Sequence, residues 1–426
     1  MPIQVDGSGS GIWLNKTVER HRHSESGLEA TVNESVIELR LLQAFPNIKR
    51  SSMTYSEDKL SALNQDIPMR EKLASTHRVL QVHLPFIARI AVTIYDPKTA
   101  LLKSYVHSGG TFDPFAVHQQ KMSELPSLQT ILEQEHPRVI VDTLTFEDGK
   151  HENIRLGRSG YAASYTMPMF HNGVFFGFIF FNSNQTDVFS PKVLDELDIF
   201  GHLISLMVIS DLSIIHTLMA AVDTAKHLSH KRDPETGSHL DRMSRYAWLI
   251  AKAIAPRHQL SDEYIEHVFM FAPLHDIGKI SIPDYILLKP GGLTPEETEI
   301  MRAHARMGRE MIDEMLSNFG FENIEYGNIL RNIAEYHHEH VDGTGYPLGL
   351  EGDAIPLEAR IVAVADTFDA LTSRRSYKAA WSNNEAFDML RQLAGFKLDA
   401  ECVDIMIESR KDVELIQSQF AENEFG

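Results

Sequence analysis

Histidine and carboxylate side chains, the usual nitrogen and oxygen ligands of metal ions, recur through the second half of this 426-residue sequence. Glu235 and His239 lie in RDPETGSHLDR, His275 and Asp276 in LHDIGK, and His304 in MRAHARMG. His337 and His338 follow in AEYHHEHVDGTGYP, and Asp366 sits inside the apolar RIVAVADTFDAL. Residues four apart share a helical face, so Glu235 and His239 could serve one ion or form a solvated surface pair. Consecutive helical residues point about 100° apart. His275 and Asp276 could therefore reach two ions, or Asp276 could bridge them while His275 caps one. A carboxylate such as Asp366 among Val, Ala and Phe is costly to bury unless something pairs with it. His304 alone also suits a satisfied core histidine, and adjacent histidines can arise by chance in a chain with 21 of them. Taken as a set, imidazoles and carboxylates without thiolates suit iron, manganese or zinc.

The elements that must hold these groups read as helices. DRMSRYAWLIAKAI, DEYIEHVFMFAPLHDIGK, TPEETEIMRAHARMGREMIDEML, EYGNILRNIAEYHH and PLEARIVAVADTFDALT are separated by Pro and Gly. Thr294 and Pro295 supply a helix cap and a first helical residue, followed by two early acids. In HVDGTGYPLG, Gly343 and Gly345 permit positive φ or close backbone approach, and Pro347 stiffens the exit; a simple helix C-cap would use the same residues.

The first half has a different texture. RIAVTIYD (89–96) and PRVIVD (137–142) read as strands, and YAASYTMPMFHNGVFFGFIFFNS as a hairpin turning at Asn172-Gly173. With flanking helices this is an α+β domain on an antiparallel sheet. A connecting helix follows. Its stripe of Val193, Leu197, Phe200, Ile204, Met207, Ile214, Leu218, Ala221, Ala225 and Leu228, interrupted by Asp211, suits either a coiled-coil seam or a face packed on the two domains. The expected divisions are an extension at 1–70 with one short helix, the sheet domain at 71–190, the connecting helix at 191–232 and the all-α domain at 233–426.

Composition narrows the function. A formal charge of −19 argues against gripping DNA or RNA through phosphates, while bound cations could still reverse the field in one pocket. The single cysteine, Cys402, excludes a disulfide framework. The longest uninterrupted apolar stretch, GVFFGFIFF, is about half a bilayer span, and no N-terminal signal peptide is evident. The expectation is a cytoplasmic protein with no membrane partner.

HDIGK with HHEHVDGTGYP, supported by RDPETGSH, ILLKPGGLTPEE and GLEGDAIPLEARIVAVADTFDALTSRRSYK, resembles the HD-GYP family of metal-dependent phosphohydrolases over roughly residues 220–400. The resemblance implies a helical fold that hydrolyses cyclic di-GMP to pGpG, and potentially GMP, with two or three divalent metals, iron or manganese being typical. His239, His275, Asp276, His304, His337, His338 and Asp366 match the family's ligands, Asp276 as the bridge and Glu235 as the carboxylate of three-metal members. It also implies substrate contacts from Lys279, Gly343, Gly345, Tyr346, Asp369, Arg375 and Lys378, with Asp276, Lys279 and His275 central to catalysis. AGFKLDAECV departs from the family's more usual Gly-Thr-His-Phe-Asp-Pro segment.

The first half resembles a GAF domain, which implies a sensory ligand whose identity the sequence leaves open. The absence of cysteine there disfavours a thioether-linked bilin, and His107, His118 and His136 could ligate haem but read first as scattered surface histidines. A homodimer joined through the connecting helix, and diguanylate cyclase partners, complete the expectation. Competing readings are a non-catalytic cyclic-dinucleotide receptor and a hydrolase of another nucleotide such as 3′,3′-cyclic GMP-AMP.

Overall fold

Apolar residues on both faces of the strands, rather than on one, require the sheet to be covered twice. In the computed structural model, which describes residues 58–65, 67–109, 119–134, 137–140, 161–228, 237–319, 326–373 and 380–421, that is the arrangement found. Strands β1 (Ile87–Asp96), β2 (Leu101–His107), β3 (Gln119–Lys121), β4 (Arg138–Ile140), β5 (Ala163–His171) and β6 (Val174–Ser183) form one sheet in the order β3-β2-β1-β6-β5-β4. All neighbours are antiparallel. The β5–β6 hairpin turns at Asn172 and Gly173, whose φ angles of 50° and 78° match the expected tight turn.

Alternate residues of β6 serve different cores. Ile179 and Phe181 join a large cluster with helices α1 (Met69–His83) and α3 (Pro191–Leu228). Phe178 faces Leu128 and Ile131 of α2 (Pro126–Gln134) on the other side.

Helix α3 decides between the two readings of its apolar stripe over the stretch whose side chains are described. Leu197 and Ile204 are fully buried within the chain's own core, and Val193, Phe200, Met207 and Ile214 pack against it. The expected coiled-coil seam is therefore consumed intramolecularly here. Truncating Ile204 to Ala would cost about 2–5 kcal/mol by opening that core. Asp211 interrupts the stripe because its Oδ2 accepts a 2.7 Å bond from the Tyr105 hydroxyl of β2. Pro191–Ile215 is long and apolar enough by composition to cross a membrane, but its inward face supplies this core.

The remaining helices are α4 (Gly237–His258), α5 (Asp262–Phe271), α6 (Asp284–Leu287), α7 (Pro295–Asn318), α8 (Gly327–Tyr336), α9 (Leu357–Thr372), α10 (Asn383–Leu393), α11 (Ala400–Glu408) and α12 (Arg410–Gln419). The start of α7 carries the anticipated cap. Thr294 Oγ1 accepts from the Glu297 amide and the Glu297 carboxylate accepts from the Thr294 amide.

The sheet and helical halves share one core cluster, and polar contacts cross between them. Lys103 of β2 meets Glu266 of α5 at 3.2 Å, Arg70 donates its amide to Glu263, and Lys98 binds Asp241 at 2.7 Å. The expected N-terminal helix, His118, His136, Glu235, Arg375 and Lys378 lie outside the described residues.

Candidate metal centre

Five elements converge on the histidines and aspartates. His239 projects from the first turn of α4. Helix α5, capped by Ser261, stops at the tight Ala272–Leu274 turn, which delivers His275 and Asp276 consecutively. A second tight turn, Ile277–Ser281, carries Gly278 and Lys279. A Cβ on Gly278 would fall 1.9 Å from the His304 carbonyl oxygen, so glycine is what lets this turn lie directly on α7. His304 comes from α7, His337 and His338 follow α8, and Asp366 projects from α9.

The side chains form two groups. Ligand-capable atoms of Asp276, His304, His337 and His338 all lie within 4.8 Å of one another, as do those of His239, His275 and Asp366. Asp276 stands where the groups meet. Its Oδ1 is 3.1 Å from His304 Nε2 and 3.7 Å from His337 Nε2, while its Oδ2 is 3.0 Å from His275 Nε2. Lys279 Nζ approaches Oδ2 at 2.6 Å. In the other group, Asp366 Oδ1 is 3.9 Å from His239 Nε2 and 4.0 Å from His275 Nε2.

Ring orientation is set from behind. Nδ1 of His275 bonds the Ala272 carbonyl at 3.0 Å, that of His304 the Met301 carbonyl at 2.7 Å, and that of His337 the Ile333 carbonyl at 2.9 Å. A carbonyl can only accept, so Nδ1 carries the proton and the Nε2 lone pair faces inward. The Nε2 atoms of His304 and His337 and the Oδ1 of Asp276 are buried with no well-formed hydrogen-bond partner. Buried polar atoms are rarely left so, and a cation between them would satisfy all three. The donor set fits divalent metal.

Protonation agrees. Burial holds the imidazoles of His337 and His338 below the usual histidine range, and for His338 the adjacent His337 adds to the effect. Neutral imidazole is the ligating form. Burial alone would raise the Asp276 carboxyl, but Lys279 and then His275 outweigh it and hold the group well below the carboxylate range.

The Gly-rich loop flanks this centre. The Tyr346 ring stacks on His338 at 4.7 Å, with the Arg302 guanidinium 5.2 Å from its face. The loop is held by a residue that spacing did not single out. Glu339, 3% exposed, accepts from the amides of Leu348 and Gly349 through Oε1 and of Leu350 through Oε2. Its signal was available: a carboxylate directly after two candidate ligands and before a loop rich in unpaired amides. Gly345 packs inside the loop, where a Cβ would sit 2.2 Å from the His340 amide nitrogen. The unusual AGFKLDAECV segment braces the loop through its backbone, since the Phe396 carbonyl accepts from the Asp342 amide at 2.8 Å. Main-chain bracing tolerates a changed side-chain sequence.

Asp369 differs from expectation. It has no exposed surface, and its oxygens accept from His239 Nδ1 at 2.7 Å and from Arg242 Nε and Nη2 at 2.7 and 2.8 Å. Burial opposes ionisation, yet these bonds hold its carboxyl below the usual range. A carboxylate so occupied orients His239 instead of meeting substrate. The resemblance pointed at the right helix and the wrong role, because sequence does not show which way a helical side chain faces.

Residues 232–402 match the family model described as HD domain. A cyclic di-GMP phosphodiesterase response regulator of Xanthomonas campestris pv. campestris is 47% identical over 190 residues, covering 45% of this chain and 47% of that protein. A 3′3′-cGAMP-specific phosphodiesterase of Vibrio cholerae is 36% identical over 177 residues, covering 42% of this chain and 32% of that protein. The chain thus spans half or less of the length of these relatives. A solved GAF domain/HD domain protein of Geobacter sulfurreducens aligns with 35% of this chain and 95% of its own, at 19% identity and a TM-score of 0.29.

Proposed function

We propose that this chain is a metal-dependent phosphodiesterase that hydrolyses cyclic di-GMP to pGpG, with GMP as a further product. The observation that carries the proposal is the placement of Asp276, one oxygen toward each of two histidine-containing groups. In this reading Asp276, His304, His337 and His338 would hold one divalent ion, and His239, His275 and Asp366, with Asp276 standing between the groups, would hold another. Glu235 would extend the set for a third. Nitrogen and oxygen donors without thiolate suit iron, manganese or zinc, and among these the family resemblance favours iron or manganese.

Divalent ions in such a centre supply Lewis acidity and make water nucleophilic near neutral pH. The chain's own groups do the rest. The backbone carbonyls behind His275, His304 and His337 hold the ring lone pairs inward. Lys279, beside Asp276, places an ammonium where charge builds on phosphoryl oxygen and from which the leaving 3′ oxygen can take a proton. Burial and nearby Asp276 push the Tyr346 phenol up, so it stays protonated at neutral pH and can donate to a phosphate oxygen. Arg375 and Lys378 are assigned to substrate phosphate by the family motif they match. The sheet domain would bias this centre in response to a ligand of its own, within a cytoplasmic homodimer served by diguanylate cyclases.

The test is hydrolysis of cyclic di-GMP by protein reconstituted anaerobically with Fe(II) or Mn(II), products resolved by chromatography. Appearance of pGpG or GMP, abolished by Asp276→Ala, supports the proposal. Tight binding without turnover would make the chain a receptor instead. The similarity to a 3′3′-cGAMP-specific enzyme supports one rival substrate. Faster cleavage of 3′,3′-cyclic GMP-AMP in the same assay would transfer the assignment to it.

A further inference from the structure

Helix α3 keeps one face in the chain's own core and turns another to solvent, and the outward face is almost free of charge. From Ile199 to Val222 the one formally charged residue is Asp211. The solvent face of a helix ordinarily carries charged side chains. Asp211 accepts from the Tyr105 hydroxyl, and Asp198, just before this stretch, accepts from that of Tyr165. Both carboxylates are drawn toward the sheet, which leaves the outward face neutral.

That face has a period of its own. Ile199, Leu203, Leu206, Ser210, Ser213 and Thr217 alternate spacings of four and three, the repeat of a helix-to-helix seam. Each stands one residue before a position of the inward stripe, about 100° round the helix. Ile199 is 70% exposed and Leu206 66%, the former being the most exposed large apolar residue among those described. Leu203 and Ser213 are half-buried, and Ser210 and Thr217 are exposed. The hydroxyls need no water, since Ser213 Oγ donates to the Ser210 carbonyl at 2.9 Å and Thr217 Oγ1 to the Ser213 carbonyl at 2.8 Å. Groups satisfied within their own helix can be covered without stranding a donor. Helix α1 ends beside the start of this face, with His83 Nδ1 3.7 Å from Glu196 Oε1, and brings Val82, 64% exposed, to the Ile199 end.

We infer that this face is the seam for a second copy of the chain, the two α3 helices packing in parallel and in register. The 4-3 spacing specifies a helix as the occupant. A second copy presents a matching surface at every level over about 27 Å. Ile199, Leu203 and Leu206 meet their equivalents at one end, and the smaller Ser210, Ser213 and Thr217 meet theirs at the other. Two chains of formal charge −19 repel, so copies can touch only on a face cleared of carboxylates, which the bonds to Tyr105 and Tyr165 provide. A bilayer suits the face less well, because half of the seam is Ser and Thr. The seam gives the homodimer of the proposed function its surface and is independent of the phosphodiesterase reading.

The test is sedimentation equilibrium of the full chain over a concentration series. The wild type is expected to be a dimer. Leu206→Glu should raise its dissociation constant by about 100-fold, since a buried leucine is lost from each copy. Ser210→Leu, which adds apolar surface to the seam, should lower the constant, a gain that misfolding would not produce. Leu206→Cys, in a chain whose other cysteine, Cys402, is buried, should form an intermolecular disulfide under mild oxidation, because parallel pairing sets position 206 against itself. A monomeric wild type would overturn the seam and the homodimer together. A dimer indifferent to Leu206→Glu and Ser210→Leu would overturn the seam alone. Dissociation by Leu206→Glu without a disulfide from Leu206→Cys would overturn the parallel register. A monomer that floats with phosphatidylglycerol–phosphatidylethanolamine vesicles, and ceases to with Leu206→Glu, would assign the face to lipid instead.

Discussion

His239 and Asp369, 130 residues apart in sequence, meet through a 2.7 Å bond between Nδ1 and Oδ2 in the buried base of the candidate metal centre. The bond leaves His239 Nε2 facing Asp366 and His275. Asp369 also neutralises Arg242 and accepts from Ser373 Oγ at 2.9 Å, so its position is over-determined. Losing such an orienting carboxylate typically costs 10–100-fold in metal affinity. Asp369→Asn is expected to weaken Mn(II) binding by about that factor, measured by calorimetry on chelator-stripped protein. Unchanged affinity would mean the ring is held by other contacts.

Gly278 offers a steric test of the same centre. Because an added Cβ would meet backbone of α7 at 1.9 Å from the His304 carbonyl oxygen, no rotamer change can relieve the clash. Gly278→Ala should destabilise the chain by about 1–3 kcal/mol. It should also lower the metal retained after purification, since the displaced turn carries Asp276 on one side and Lys279 on the other. A urea midpoint and elemental analysis on the same samples decide both points.

The contact between the two halves can be probed at Lys103 and Glu266, whose side chains are 6% and 3% exposed. Burial raises the Glu266 carboxyl, and Lys103 opposes that shift. Removing one member of a buried pair strands the other, at about 3–5 kcal/mol. Lys103→Met should therefore shift the denaturation midpoint strongly. Adding Glu266→Gln, which keeps an acceptor for Trp248, should recover part of the loss. Purely additive effects would show that the pair contributes nothing as a pair.

His267 makes the fold acid-sensitive. It is buried against Tyr326, with ring centroids 4.0 Å apart, and burial lowers its pKa to about 4. The unfolded chain takes up a proton near pH 6.5, where the folded ring still refuses it. The stabilisation from burying neutral His267 is thus complete above pH 6.5 and declines as pH falls toward 4. At pH 5 the loss amounts to about 2 kcal/mol. Comparing urea midpoints at pH 7.5 and pH 5, the wild type should lose about that much more stability than His267→Phe. Equal losses would place the acid sensitivity elsewhere.

The sequence alone determined the two fold classes and most of the candidate centre. Helical periodicity, the Thr294 cap and the Asn172-Gly173 turn are local signals, set by backbone preferences within a few residues, and the structure realises each of them. The ligand candidates were legible for a related reason. Imidazole and carboxylate at His239, His275, Asp276, His304, His337, His338 and Asp366 are chemically distinctive, and the HD and GYP motifs order them along the chain.

Tertiary structure decided what depends on direction and on distant partners. The stripe on α3 suited a second chain or the chain's own core equally well, and only packing assigned Leu197 and Ile204 to the latter. Asp369 reads as a substrate contact until its helix is rotated into place against His239 and Arg242. Glu339 becomes recognisable as the anchor of the Gly-rich loop once three amides converge on it. The separation of the ligands into two groups with Asp276 between them joins residues far apart in sequence. Burial and hydrogen bonding across that separation arise only when the helices pack, which is why spacing along the chain could name the residues without arranging them.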